Sequence, residues 1–143
     1  MYMMNMEVEE NTKCILYFDG ACKCNPGKAG AGMVMYRNDV EIASDSVYIG
    51  EKETNNGAEY IGLLIGMKTA MYMGVRELIV RGDSMLIIKQ MNGEYKVKSD
   101  TLREHYTNAK EFEKKFDKVV YQHVYRNENK RADELANIGV EKK

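Results

Sequence analysis

The longest stretch of mostly apolar, helix-forming residues runs from about Asn55 to Met73, and it constrains the fold more than any other feature. The polar run Thr54-Asn55-Asn56-Gly57-Ala58-Glu59 opens it, and Thr54 or Asn55 can cap the helix by accepting from free backbone N–H groups. One face, counted by threes and fours from Glu59, is small or apolar: Gly62, Leu63, Gly66 and Ala70. The other faces are also largely apolar, so we expect a buried helix packed closely on a sheet.

Glu59 is the unusual residue of this helix, because an unpaired carboxylate in a buried position costs free energy. Two explanations fit the local sequence, and the helix taken alone favours the first of them. The carboxylate either forms a salt bridge with a nearby cation or coordinates a metal ion. The helix alone does not decide between these alternatives, so the rest of the chain has to be considered.

The composition indicates one soluble globular domain. The chain has 143 residues, 44% hydrophobic and 30% charged, with a formal net charge of -1, so any nucleic-acid partner must be bound through a local patch or through metal ions. The sequence contains no apolar run long enough to span a membrane and no signal-peptide pattern at its start. We expect a flexible tail over residues 1–12 and one folded domain over residues 13–143.

Cysteine usage indicates a reducing compartment. The three cysteines are odd in number and lie close together, at Cys14, Cys22 and Cys24, so no disulfide framework is expected. A metal clip at Cys22 and Cys24 is not expected either, because no second cysteine pair accompanies them. We therefore expect a cytoplasmic protein, or one from another intracellular compartment that contains nucleic acid.

The remaining patterns alternate between strands and helices. Strands are predicted over residues 14–19, 30–36, 40–48, 77–81 and 118–125, with a hairpin turn at 37–39, a loop over 19–27 and a linker over 50–53. Further helices are predicted over residues 84–91, about 99–116 and about 129–140. The first and fourth strands are separated by the long helix, so they should form a parallel pair. The pattern is typical of an α/β domain.

Four acids occupy positions that should converge. Asp19 and Asp83 end the first and fourth strands, Glu59 begins the long helix, and Asp133 lies early in the last helix. Ligands of α/β sheets gather at the carboxyl ends of parallel strands. Converging carboxylates repel one another, and hard divalent cations such as Mg²⁺ or Mn²⁺ would relieve that repulsion. Two such ions about 3.5–4 Å apart can promote phosphodiester hydrolysis.

Each acid also has a purely structural explanation. Asp19 and Asp83 could be turn residues at strand ends. Asp133 could cap its helix or pair with the neighbouring Arg131 or Lys130. These alternatives apply to the residues one at a time, whereas the metal hypothesis explains the four positions together.

Four motifs, taken in order, resemble the type 1 ribonuclease H family. They are D-G-x-C-x-x-N-P-G from Asp19, T-N-N-x-A-E from Thr54, D-S at Asp83, and N-x-x-A-D-x-L-A from Asn129. The resemblance covers roughly residues 13 to 140. It implies a five-stranded mixed sheet, with three antiparallel strands followed by parallel ones, flanked by helices on both faces. It also implies metal-dependent cleavage of the RNA strand of RNA/DNA hybrids, with metal-binding and catalytic roles for four residues: Asp19, Glu59, Asp83 and Asp133.

The same resemblance implies a set of substrate contacts. Asn25, Asn55 and Asn56 match polar groups that line the minor groove and contact the RNA strand, and the backbone near Met85 matches a further contact of this kind. An amide suits the task because it can both donate to and accept from the 2′-hydroxyl. Thr54 matches a residue that holds a phosphate of the DNA strand, and Lys52 stands where a basic residue often helps it.

One departure from the family pattern is a missing histidine. Many members carry a catalytic histidine in a mobile loop between the fifth strand and the last helix, but residues 125–129 contain none. His123 should lie within the strand, and His105 should belong to the surface or to packing. Arg126 or Glu128 is a candidate for assisting product release. Loss of the loop histidine need not abolish activity, because the metal ions supply most of the transition-state stabilisation.

A second departure is the short segment from Gln90 to Asp100, where some bacterial members have a basic helix and loop that carries tryptophan. Here the segment holds Lys96 and Lys98, with Lys89 just before it, and the chain contains no tryptophan. Few phosphate contacts are therefore expected. We predict weak substrate binding by the protein alone, or help from a partner or an oligomer, and the sequence does not indicate the oligomeric state.

Two alternatives to a hybrid-specific nuclease remain. One is a nuclease of the same fold that acts on double-stranded RNA or another nucleic acid, such as a DNA junction. The other is a non-catalytic nucleic-acid or protein-binding module that kept the fold. Such modules usually lose acids, whereas all four are present here.

Overall fold

A computed structural model describes residues 13–143, so the expected flexible tail over residues 1–12 lies outside the described residues. The strands are β1 (Lys13–Cys22), β2 (Gly27–Arg37), β3 (Val40–Glu53), β4 (Glu77–Gly82) and β5 (Lys118–His123). The helices are α1 (Asn55–Tyr72), α2 (Met85–Met91), α3 (Asp100–Glu113) and α4 (Lys130–Val140), and a short 3₁₀ turn (Arg126–Glu128) precedes α4.

The strands form one mixed sheet in the order β3-β2-β1-β4-β5. β1, β2 and β3 are antiparallel to their neighbours, whereas β4 is parallel to both β1 and β5. β1 runs on past its last pairing with β4, which joins Tyr17 to Arg81, and stays paired with β2. The fold class that the resemblance implied is therefore confirmed, and the carboxyl ends of β1 and β4 lie side by side as predicted.

Several predicted boundaries were wrong, because long-range pairing extends the strands into polar sequence. β1 continues beyond Asp19 to Cys22, which pairs with Ala29, so the loop predicted from Asp19 shrinks to the residues between β1 and β2. β3 absorbs the predicted linker, since Glu53 pairs with Gly27. At the other end of the chain, β5 stops at His123 and α3 stops at Glu113, both earlier than predicted.

α1 packs against β1 so closely that two glycines are required at the contact. A Cβ atom on Gly62 would lie 2.5 Å from the carbonyl oxygen of Asp19, and one on Gly20 would overlap the backbone of Ala58 and Glu59. The Thr54 side chain caps the helix by accepting from the Gly57 N–H at 3.0 Å. The predicted small-sided face therefore holds the main chains of α1 and β1 in direct contact.

Helices cover both faces of the sheet. The larger core lies on the side of α1, α2 and α3 and includes Leu16, Phe18 and Met67, which are fully buried. α4 lies on the opposite face, where Ala132 and Leu135 pack on Val34. This arrangement brings the beginnings of α1 and α4 to the same edge of the sheet. No helix within residues 13–143 is both long and apolar enough to cross a membrane.

Candidate metal centre

Three acids meet at the carboxyl edge of the parallel strands. Asp19 lies on β1 just beyond its pairing with β4, Glu59 lies in the second turn of α1, and Asp83 directly follows β4. One carboxylate oxygen from each lies within 4.8 Å of those of the other two. Asp19 is only 3% exposed, so the cluster begins in the core and opens to solvent at Asp83.

Asp133 lies at the rim of the same site. It occupies the first turn of α4 and lines, together with the other three acids, a cavity of about 480 Å³. It falls outside the tight three-acid group, although its carboxyl is close enough to hydrogen-bond with that of Asp19. The Asn137 side chain donates to the Asp133 carboxylate at 3.3 Å. The structure therefore brings all four predicted acids to one cavity, three with carboxylate oxygens within 4.8 Å of one another and one at the rim.

The electrostatics of the cluster are those of crowded, buried acids. Burial raises the pKa of Asp19 to about 7, and the charge of Asp83 adds to this effect, although a hydrogen bond with Glu59 opposes it. Burial also raises the pKa of Glu59 well above its usual range, and the neighbouring Asp19 raises it further. Without a counter-charge, the folded protein therefore favours the protonated forms of these two groups.

The described residues place no ion-pair partner at the cluster, although Arg126 lines the same cavity. None of the ion pairs among residues 13–143 includes one of the four acids, and Arg131 pairs instead with Glu41 and Glu134. The buried Oε2 atom of Glu59 has no hydrogen-bond partner in this part of the chain. The salt-bridge explanation for Glu59 is therefore wrong. An all-oxygen donor set with one unsatisfied buried atom fits a hard divalent cation.

Asn129 is a site residue that the sequence analysis did not single out for a role. It is 1% exposed, and its side-chain amide donates to the Phe18 carbonyl oxygen at 3.0 Å and to Asp83 Oδ2 at 3.4 Å. It therefore ties the start of α4 to β1 and orients the Asp83 carboxylate. The sequence could have indicated this role, because Asn129 is the first residue of the motif N-x-x-A-D.

The predicted substrate contacts lie beside the acid cavity, around the beginning of α1. Asn25 Oδ1 accepts from the Asn55 backbone N–H at 3.0 Å, so the loop between β1 and β2 is tied to α1. Asn56 lines both the acid cavity and a second cavity of about 470 Å³. Three other predicted contacts also line the second cavity: Asn25, Lys52 and Thr54. Four residues that were not predicted as contacts complete its lining: Glu53, Ser99, Thr101 and Leu102.

The other predicted positions fall where the chain topology requires. Met85 begins α2 two residues after Asp83 and is 45% exposed, but it does not line either cavity. His123 lies in β5, as predicted, but as its last residue, and it lines the acid cavity together with Arg126. His105 stacks on Tyr60 with ring centroids 6.1 Å apart, as expected of a packing residue.

The sequence matches the family described as "Reverse transcriptase-like" over residues 17–139. It is 39% identical over 127 residues to the Bifunctional protein Rv2228c of Mycobacterium tuberculosis. This match covers 87% of this chain and 35% of that protein. It is 34% identical over 143 residues to the Ribonuclease H of Pseudomonas entomophila. This match covers 88% of this chain and 92% of that protein. The chain thus spans about a third of the mycobacterial relative and nearly all of the pseudomonad one.

A solved structure extends this similarity to three dimensions. The crystal structure of LC11-RNase H1 in complex with RNA/DNA hybrid superposes with a TM-score of 0.85 at 36% sequence identity. The match covers 90% of this chain and 97% of that one. The similarity in three dimensions therefore extends over nine tenths of this chain.

Proposed function

Because this chain belongs to the type 1 ribonuclease H family, we propose that it is a divalent-metal-dependent endoribonuclease that hydrolyses the RNA strand of RNA/DNA hybrids. The observation that carries the proposal is the meeting of Asp19, Glu59 and Asp83 within 4.8 Å of one another, with no ion-pair partner among residues 13–143. A cluster of this kind is costly to the fold, and a bound metal ion accounts for it.

The metal ligands in this proposal are the four acids of the cavity. Asp19, Glu59 and Asp83 would hold the ions most directly, and Asp133 would complete the site from the rim. We propose two Mg²⁺ ions, for which Mn²⁺ would substitute. Ions of this kind activate a water nucleophile and stabilise the leaving oxygen in phosphodiester hydrolysis.

The protein itself would contribute in two ways: by holding the carboxylates in place, and by deprotonating Asp19 and Glu59 when the metal ions bind. Asn129 donates to Asp83 and fixes the direction of its carboxylate. Asp19 and Glu59, with their raised pKa values, lose the proton that they retain in the absence of a cation. Metal affinity should therefore rise with pH, because the ligating forms are the deprotonated ones.

Substrate selection in the proposal depends on amides beside the cluster. Asn25, Asn55 and Asn56 line the approach to the acids, and we assign them to contacts with the RNA strand, where an amide can pair with the 2′-hydroxyl. The Met85 backbone provides a further contact of this kind. Thr54 and Lys52, in the second cavity, are assigned to a phosphate of the DNA strand.

The test is a comparison of substrates. RNA/DNA, RNA/RNA and DNA/DNA duplexes of one sequence are incubated with the protein in Mg²⁺, in Mn²⁺ and in a chelator. We expect cleavage of the RNA strand in the hybrid, dependent on the metal. Cleavage of RNA/RNA at an equal rate would favour the double-stranded RNA alternative, and binding without cleavage of any duplex would favour the non-catalytic one.

Two further properties follow from the proposal. Binding of the hybrid should be weak, because the segment between α2 and α3 offers few cations and Lys89 lies over the ring of Tyr95, 5.1 Å from its centroid.

Arg126 lines the acid cavity and is our candidate for assisting product release. We also propose that the protein works in an intracellular compartment that contains nucleic acid, where its substrate would form.

A further inference from the structure

We propose that His123 binds the cleaved strand, by donating a hydrogen bond from its imidazole ring to a phosphate oxygen at the acid cavity. The inference rests on the proposed function and adds a substrate-binding residue to it. Residues 125–129, which connect β5 to α4, contain no histidine, so His123 is the only imidazole that residues 13–143 place at this cavity.

The position of His123 is set by strand pairing. Its Cα atom pairs with that of Gly82, the residue before Asp83, and the next residue, Val124, donates its N–H to the Gly82 carbonyl oxygen at 2.9 Å. Neighbouring strands lie about 4.8 Å apart. The imidazole therefore lies one strand away from Asp83, on an ordered element, and it lines the same cavity.

The ring is oriented, but the described residues do not use its polar atoms. It packs edge-to-face on Tyr125, with centroids 5.5 Å apart and an interplanar angle of 83°. Its nitrogens form no hydrogen bond with residues 13–143. His123 also lies outside the group of side chains close enough to share a metal ion. Its nitrogens are therefore available to a ligand in the cavity and are not needed to hold a cation.

A phosphate oxygen is the partner that suits this position. Four acids line the cavity, and their charges repel an anionic backbone unless cations intervene, so donors such as His123 and the neighbouring Arg126 are needed beside them. An imidazole always carries at least one N–H donor, and a donor to a charged oxygen forms a strong hydrogen bond. His123 would thus hold the strand at the β5 side of the cavity.

The test compares variants that separate the donor from the ring. His123→Phe keeps the contact with Tyr125 and removes the donor, whereas His123→Gln removes the ring and keeps a donor. His105→Phe is the matched control, because His105 stacks on Tyr60 away from the cavity. All three are made in an Asp83→Asn background, which we expect to stop cleavage. Affinity for a labelled RNA/DNA hybrid is measured by fluorescence anisotropy.

We expect His123→Phe to weaken hybrid binding about tenfold, as for loss of one hydrogen bond to a charged group. His123→Gln should stay within about threefold of the parent, and His105→Phe should match it. The inference is overturned if His123→Phe binds like the parent. It is also overturned if His123→Phe and His123→Gln are equally impaired, since that result assigns the residue to packing alone.

A measurement that leaves His123 unchanged guards against misfolded variants. The chain has two histidines, so ¹⁵N spectra of the imidazoles contain two ring systems. Adding hybrid to the Asp83→Asn protein should shift the His123 ring nitrogens and leave those of His105 unchanged. Unshifted His123 nitrogens at saturating hybrid would refute the contact. If the wild-type protein cleaves hybrid, the proposed function stands whatever these spectra show; if it cleaves no duplex, that function fails.

Discussion

Acids in two regions of the molecule have opposite surroundings. On the outer surface, Glu41 is paired with Arg131 at 3.1 Å and Glu141 with Lys23 at 2.9 Å, and these hydrogen bonds lower the pKa of each carboxyl. In the cavity, Asp19 and Glu59 lie next to another acid, and burial raises the pKa of both. Among residues 13–143, these two exposed acids have ion-pair partners, whereas the buried acids of the cavity have none. Buried acids that lie together without ion-pair partners are the arrangement expected of metal ligands.

The largest effect should come from removing one cavity acid. We expect Asp83→Asn to reduce the rate of hybrid cleavage by about a thousandfold or more, because a metal site contributes several kcal/mol to the transition state. Asp117→Asn is the matched control, since Asp117 is an exposed acid paired with Arg76 at 2.8 Å. Initial rates with Mg²⁺ measure both. Unaltered cleavage by Asp83→Asn would remove the proposed metal site and, with it, the contrast between the two regions.

The second effect concerns stability and pH in the absence of metal. The folded-state pKa of Asp19, about 7, exceeds its unfolded value of about 3.9, so the folded protein binds the proton more tightly. Tighter proton binding by Asp19 stabilises the folded protein fully below about pH 3.9. This stabilisation decreases above that pH and is lost as pH rises through 7. Asp19→Asn does not titrate, so its stability relative to wild type should rise between pH 5 and pH 8 by on the order of 2 kcal/mol.

Urea unfolding in a chelator, at pH 5 and at pH 8, measures this difference. The same measurement on Asp117→Asn should show no such gain at the higher pH, because Asp117 is exposed and already paired. A constant stability difference between Asp19→Asn and wild type at both pH values would mean that Asp19 is not held protonated in the folded protein.

A smaller effect should come from adding the metal. A divalent ion at ten times its dissociation constant should raise the free energy of unfolding of wild-type protein by about 1.4 kcal/mol. Asp83→Asn should lose most of this gain and Asp117→Asn should keep it. Thermal unfolding with increasing Mg²⁺ or Mn²⁺ provides the measurement. Equal stabilisation of all three proteins would place the ion elsewhere on the surface.

The smallest effect should come from the exposed acids themselves. Asp117→Asn breaks the pair with Arg76, and we expect it to cost about 0.5 kcal/mol or less, since exposed ion pairs contribute little. The cost should shrink further at high salt. Urea unfolding at low and high salt tests both statements. A loss as large as the shift predicted for Asp19→Asn would show that the two regions do not differ in kind.

The acids could be found from the sequence because each follows a local pattern. A short apolar run places Asp83 at a strand end, and a helix beginning places Glu59. The extensions of β1 and β3 could not be found in this way, since pairing with a distant strand draws polar residues into the sheet. The contacts behind the role of Asn129 could not be predicted for the same reason, because they join distant parts of the chain. Its hydrogen bond reaches Phe18, 111 residues away.

The glycines at positions 20 and 62 have a consequence for how this enzyme family can vary. They place the main chain of α1 directly on that of β1, so the separation of Asp19 and Glu59 is determined by backbone atoms. A single methyl group at position 62 would push the helix outward and carry one acid away from the other. A side chain at position 20 would meet the backbone of Ala58 and Glu59, so a substitution at either glycine would disturb the acid cluster directly.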